Sequence, residues 1–387
     1  MVPNGWEAIK LNEICDKVTS GSRNWAQYYS EKGSKFIRMT NLQRNSIYLD
    51  LSDLKFVDIQ SYSSDGQRTS LETGDILMSI TAELGKIGWV HEGLGESFIN
   101  QHTALIRLKD NKAYSKYIAY LLSSKEMNHR INRLNDSGAK AGLNLTTIRS
   151  IPLTIPPVLE QQKIAKILST WDKAISTTER LIDNSTQQKK ALMQQLLTGK
   201  KRLLDESGER FEGEWEEIEL GGIANIYQPK TISQKDLTNE GYLVYGANGI
   251  IGKYSEYNHE QEQVAVTCRG STCGVVNWTM PKSWITGNAM VINVDDSDSI
   301  SKRFLYYKLS FANFNYLISG SGQPQITGNI KTHKTKLPIL KEQQKIATVL
   351  TNADKEIELL EQQLADLQQE KKALMQVLLT GKKRVVV

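Results

Sequence analysis

The chain has 387 residues, a formal net charge of +5 and three cysteines, Cys15, Cys268 and Cys273. That length accommodates two or three domains, and an odd, unclustered set of cysteines argues against both a disulfide framework and a metal cluster, fitting a reducing compartment instead. Neither a basic-then-apolar leader nor an apolar run of spanning length occurs, so the expectation is a cytoplasmic protein with no membrane partner.

From the amino terminus, Trp6-Glu7-Ala8-Ile9-Lys10-Leu11 alternates as a strand does. Gly74 to Ile80 reads as a second strand that enters a polar loop, Thr81 to Lys86. Ser97 to Asn100 precedes an apolar strand at Ala104 to Leu108, and Tyr117 to Ser123 reads as a short helix. The same order returns later. Trp215-Glu216-Glu217-Ile218-Glu219-Leu220 answers the opening, Val264 to Thr267 leads into the loop Cys268 to Gly274, and Ser283 to Thr286 precedes Met290 to Val294. Phe304 to Ser310 then answers the short helix. Strand-loop-strand order with short helices predicts a mixed-sheet α/β scaffold, present twice with unlike loops.

Each half is followed by a long repeat. Glu160 to Arg202 recurs without insertion or deletion as Glu342 to Arg384, a shift of 182 positions, which marks a duplicated, pseudo-two-fold plan. Apolar residues step by four and three through the first copy at Ile164, Leu168, Trp171, Ile175 and Ile182. In the second copy Ile346, Leu350, Ile357, Leu360, Leu364 and Leu367 keep the register, and Lys371 takes the one missing place. Such spacing predicts a coiled-coil seam. Independent helices or a zipper between chains are the alternatives, but Thr178, Ser185 and Lys189 weaken self-pairing of the first copy and favour pairing of the two copies with each other. Pro156, Pro157 and Pro338 stop anything helical upstream, while Gly199 and Gly381 suit left-handed caps. About 38 helical residues make a rod of roughly 57 Å. The division expected is 1–155, 156–202, 203–337 and 338–387: two globular parts separated by two spacer helices.

Charge is unevenly spread. Residues 1–159 carry 19 basic and 16 acidic side chains and the first repeat 9 and 4; residues 203–341 carry 13 and 16, and 342–387 carry 7 of each. A protein gripping DNA unaided would show a stronger basic footprint, so a co-binding partner is expected. Catalytic motifs fail on inspection. Ile155-Pro156-Pro157-Val158 lacks the polar and aromatic side chains of an adenine methyltransferase tetrapeptide, and neither a glycine-rich nucleotide fingerprint nor metal-type histidine spacing occurs. No cofactor is expected. The loops hold base-edge chemistry instead: Arg23, Asn24, Arg38, Asn41 and Arg44 in the first half, and Lys230, Asn248, Lys253, Arg269 and Ser271 in the second.

The two Trp-Glu-x-Ile-x-Leu openings, the Gly-Asp-Ile-Leu strand at 74 to 77, the Glu-Gln-Gln-Lys-Ile helix entries after Pro157 and Pro338, and the two Leu-Leu-Thr-Gly-Lys-Lys-Arg closings resemble the DNA-specificity subunits of Type I restriction-modification systems. The resemblance covers essentially the whole chain. It implies two target-recognition domains, an antiparallel coiled-coil spacer that docks two methyltransferase subunits, and restriction subunits joining that core. It also implies a non-catalytic chain, a pseudo-circular arrangement in which Arg384 lies near Trp6 as Arg202 runs on toward Trp215, and a bipartite double-stranded DNA target with a fixed gap. The alternatives from other classes are a coiled-coil scaffold with peptide-binding globular halves and a stand-alone DNA methyltransferase.

Overall fold

A computed structural model describes residues 2–386 apart from 22–24, 110, 136–141, 248 and 321. Contacts divide the chain into two compact units, Met1–Glu179 with Gln363–Val387, and Arg180–Gln362. The division therefore cuts both long helices, Val158–Leu196 and Leu340–Leu378, each of 39 residues. Each unit holds one globular part, the first stretch of the helix that follows it, and the last stretch of the other helix.

In the first unit, Cys15–Ser20, Thr103–Leu108, Ile76–Ser79 and Ile87–Trp89 form an antiparallel sheet in that order. Ile76–Ser79 is central and buried throughout, which explains its unbroken apolar run. A second sheet orders Tyr29–Ser30, Lys55–Val57, Ser34–Ile37 and Ser97–Ile99, its last pairing parallel. The opening strand Glu7–Lys10 pairs with Pro152–Ile155, just before the first long helix. The second unit repeats the plan. Asn225–Tyr227, Ala289–Asn293, Val264–Thr267 and Val276–Trp278 make the antiparallel sheet, and Tyr242–Gly246 pairs with the hairpin partner Gly249–Tyr254 and, in parallel, with Trp284–Ile285. Glu216–Glu219 pairs with Lys334–Leu337, the counterpart of the opening strand. Among the described residues the expected mixed sheet is thus three small sheets in each half, with the parallel pairing confined to one of them.

Within each unit the two helices run antiparallel. Asp172 meets Lys371 and Glu160 meets Arg384 in the first unit, whereas Lys189 meets Asp354 and Arg202 meets Glu342 in the second. Seam positions Ile164, Leu168, Ile346 and Leu350 are fully buried, and Trp171, Ile175, Ile182, Ile357, Leu360, Leu364 and Leu367 are half-buried among exposed neighbours. That pattern is what a two-helix seam leaves. The missing apolar place is explained as well: the Lys371 ammonium is bound by Asp172, which also accepts from the buried Tyr120 hydroxyl. The second unit builds the equivalent set from Lys189, Asp354 and Tyr307, the Tyr307 hydroxyl lying 2.5 Å from Asp354. Burial, then Asp172, pushes the Tyr120 phenol far above its ordinary value, and burial followed by Asp354 pushes Tyr307 up to about 12.

Helix ends join the globular parts. Gly199 and Gly381 adopt φ of +73° and +68°, and a Cβ on Gly381 would stand 2.6 Å from Pro3 and 3.2 Å from Trp6, so glycine is required there by both conformation and space. Gln161 and Gln343 each donate 2.8 Å to the carbonyl of the proline before the helix, Pro156 or Pro338, while accepting from the backbone of Tyr114 or Ser301. The second joint has an added lysine. Lys308 donates 2.6 Å to the Leu197 carbonyl at the helix end and lies 4.9 Å from the Trp215 ring centre. Burial, and then Lys336, lowers its ammonium from 10.5 to about 8. Between these values the folded chain binds fewer protons than the unfolded one, so stability gains with rising pH across that window. Lys308→Met should lack this gain: in thermal melts from pH 8 to 10.5 the wild type should improve relative to the variant, and parallel curves would refute the assignment.

Candidate nucleic-acid interface

In the second unit the loops at one end of the sheets are tied together. The Gln228 amide donates to the Cys268 thiol at 3.0 Å and to the Gly287 carbonyl at 3.4 Å. The hydroxyls of Thr267 and Thr272 both donate to the Ala247 carbonyl at the hairpin tip. Gly270 N–H donates to Pro324 O, Ile326 N–H to Cys268 O and Cys268 N–H to Asn288 O, each at 3.0 Å, and Arg269 bridges Gln325. The described residues so gathered, 228–231, 246–247, 249, 268–274, 286–288, 319–320 and 322–326, include no Asp or Glu, although residues 203–341 as a whole are acidic. Lys230 and Arg269 are exposed there among Gln228, Ser271, Gln323 and Gln325. The result is a surface of amide and hydroxyl groups with two cations, Lys230 and Arg269, and the carboxylate of Asp236 lies close enough to Lys230 to feel its charge. Burial pushes the Cys268 thiol up, so it serves as a neutral acceptor under the Gln228 side chain and not as a nucleophile.

The first unit has the same backbone frame with different side chains. Leu143 N–H donates to Ile80 O and Ile80 N–H to His102 O, both at 3.0 Å, and Thr81 bridges Gly142 where Arg269 bridges Gln325. Gly21 N–H joins at 3.2 Å from Asn100 O. The Thr81 hydroxyl lies 2.8 Å from His102 Nδ1, and the Gln101 amide nitrogen lies 3.1 Å from His102 Nε2. This Thr81–His102–Gln101 group was not legible beforehand, since a lone histidine between two strands carries no motif. Its only sequence signal is alignment with Thr286-Gly287-Asn288 across the two halves.

The individually expected residues fall into three groups. Arg23, Asn24 and Asn248 lie outside the described residues. Lys230, Arg269 and Ser271 come together in the second unit's surface, whereas Lys253 lies along the hairpin, paired with Leu243 and away from the tip. In the first unit Arg44 is exposed, its guanidinium 3.2 Å from Leu84 O and 3.1 Å from Asn128 Oδ1, so it latches the 81–86 loop onto the helix Lys125–Arg133. It also borders a cleft of about 2250 Å³ whose lining mixes Lys125, Arg130, Lys173 and Lys372 with Glu126 and Glu179. Arg38 and Asn41 are committed inward. Arg38 pairs with Asp53 at 2.8 Å, which holds that carboxyl below its ordinary value. Asn41, 2% exposed, donates to Asp50 O at 2.8 Å and accepts from Arg38 N–H at 2.9 Å. Its amide staples the loop and has little left to offer a base edge. Asn41→Ala should accordingly cost about 1–3 kcal/mol through unpaired buried groups, while exposed Lys230→Ala should stay within about 0.5 kcal/mol; denaturant unfolding of both variants measures the contrast.

Among the described residues no group of three or more His, Cys, Asp or Glu side chains is placed to hold a metal, and no helix is long and apolar enough to cross a membrane. Residues 3–184 and 212–369 each match the model of the Type I restriction modification DNA specificity domain. The chain is 27% identical to a putative type I restriction enzyme MjaX specificity subunit of Methanocaldococcus jannaschii, over 99% of its length and 95% of the relative's. It is 24% identical to the MjaVIII specificity subunit of the same organism, over 99% and 94%. Among solved structures, the S subunit of a Type-I restriction-modification system from M. genitalium superposes with a TM-score of 0.66 at 16% identity, covering 98% of this chain and 99% of that one. The HsdS subunit from Thermoanaerobacter tengcongensis gives 0.51 at 16% identity, with 99% and 98% covered. These two likenesses are of fold.

Proposed function

We propose, for a chain that belongs to the Type I restriction modification DNA specificity family, that it reads a bipartite double-stranded DNA target in the cytoplasm, one half-site per unit. The observation that carries this reading is the paired loop frame. Equivalent backbone bonds, Leu143 to Ile80 and Ile326 to Cys268, hold unlike side chains, Thr81 and Gly142 against Arg269 and Gln325. A conserved frame with exchanged tips is suited to reading unlike half-sites through major-groove edges, with phosphate contacts fixing register.

In this reading the chain performs no chemistry. Methyl transfer and cleavage reside in partners: two methyltransferase subunits docked on the duplicated helix entries and restriction subunits joining them. The two helices then set the gap between the half-sites. Division of the chain into recognition domains 1–155 and 203–337 with spacers 156–202 and 338–387 belongs to the same proposal.

Inserting one heptad into both helices between Glu179 and Arg180 and between Gln362 and Gln363 leaves the internal contacts of each unit in place. It adds about 10 Å of rise, which should lengthen the recognised gap by roughly 3 base pairs with both half-sites unchanged. Methylation mapping that returned the original gap would sink the ruler role. Arg269→Ala should relax one position of one half-site at a cost of about 1–3 kcal/mol. Uniform weakening across sequences, with a shallower salt dependence, would mark Arg269 as a phosphate contact instead.

A further inference from the structure

Just after its turn, the hairpin of the second unit carries exposed aliphatic side chains. Ile250 follows Gly249 in the strand Gly249–Tyr254, pairs with Tyr245, and is 55% exposed. Ile251 is 46% exposed, as is Val275 just beyond the loop that pins the tip. The strand before the turn is tied down at Ala247, on whose carbonyl two threonine hydroxyls, from Thr267 and Thr272, converge. A β-branched side chain on a pinned strand has little rotamer freedom to lose on binding. The loops bonded to this turn, 268–274 and 286–288, carry Arg269 and no carboxylate, which suits a polyanion.

We infer that Ile250 is a specificity-determining residue that packs against the 5-methyl group of a thymine in the half-site of the second unit; this rests on the DNA-recognition reading above. That methyl is the apolar feature of base edges in the major groove, and it is what an exposed aliphatic side chain can read beside hydrogen-bonding neighbours. Among the described residues the first unit has no equivalent at this place: its strand Ser34–Ile37 runs into a 3-10 turn at Met39–Asn41, and Leu42, the first aliphatic after that turn, is buried. Methyl reading is therefore assigned to one half of the target only.

The test uses the full chain in complex with its methyltransferase partner and duplexes of the natural target, in which each thymine is replaced singly by uracil to remove one methyl group. Gel-shift affinities at fixed salt are compared for wild type and Ile250→Ala, with melting temperatures measured alongside. The wild type should lose about fourfold at one thymine of one half-site, the value of one buried carbon, and Ile250→Ala should bind the thymine and uracil duplexes equally. Melting temperature should be unchanged because the side chain is exposed. Ile250→Val, which keeps β-branching, should retain the discrimination. Wild type indifferent to uracil at every position, a variant as sensitive as wild type, a half-site lacking thymine, or a variant whose defect is in binding the methyltransferase partner would each overturn the inference. A complex that binds the target no better than random duplex would instead overturn the DNA-recognition reading itself.

Discussion

Two buried carboxylates organise this molecule. Glu160 and Glu342 begin the long helices at 2% and 0% exposure, and each is gripped by two nitrogens of an arginine 224 or 140 positions away, Arg384 or Arg202. A carboxylate so buried is tolerable only with its guanidinium in place, because a charge left unpaired away from water is costly. Each arginine belongs to the end of the other helix. Consequently neither unit can be completed from its contiguous globular sequence and following helix alone. The apolar cores say the same: Leu378 and Leu379 join the core of the first unit, and Leu196 and Leu197 that of the second. Contacts of such sequence separation are entropically expensive to close, so folding is expected to be governed by this closure more than by helix formation.

The same arginines extend the constraint to the entry strands. Arg384 also reaches Asn4 O and lies 5.9 Å from the Trp6 ring centre, while Arg202 donates to Gly213 O at 2.8 Å and to Glu212 O at 3.1 Å, just before Trp215. Thus one charged group fixes helix start, helix end and the first strand of its unit together. That coupling turns a repeat in sequence into equivalent joints in space. It also leaves the far ends of the sheets free of structural duty, where unlike loops can be tolerated and function can vary without loss of the frame.

The frame was legible because it is written in periodicity. The four-three spacing, the prolines, the capping glycines and the Trp-Glu-x-Ile-x-Leu strands all express local rules, and each element formed where those rules put it. The interface was legible only as composition. Loops 228–231, 268–274 and 319–326 looked suitable singly, but their convergence depends on hydrogen bonds such as Gly270 N–H to Pro324 O, which no local pattern encodes. Asn41 shows where composition alone stops short: an amide suited to adenine on chemical grounds is bonded to Asp50 and Arg38 because the loop folds back on itself. Lys371 was visible merely as a fault in the apolar stripe. The clue that it is paired lay in the shift of 182, which carries Lys189 onto Lys371 and Asp172 onto Asp354.

Those ion pairs contribute selectivity of register more than stability. A buried lysine and aspartate replaced together by apolar groups often leave a protein as stable or more so, so the buried Asp172–Lys371 pair and its half-buried counterpart Lys189–Asp354 call for another reason. With Asp172 opposite Lys371, an antiparallel slip of one heptad would set Asp172 against Leu364 or Leu378 and Lys371 against Ala165 or Glu179. Three of those four meetings set a charge against an apolar side chain, and by the repeat the same holds for the half-buried Lys189 and Asp354. Tyr120 and Tyr307 strengthen the discrimination, because each hydroxyl needs the aspartate at one height on the helix. An all-leucine seam would tolerate such slips; a seam with one satisfied charge pair per unit admits a single alignment. For helices proposed to measure a distance on DNA, a unique alignment matters more than additional stability.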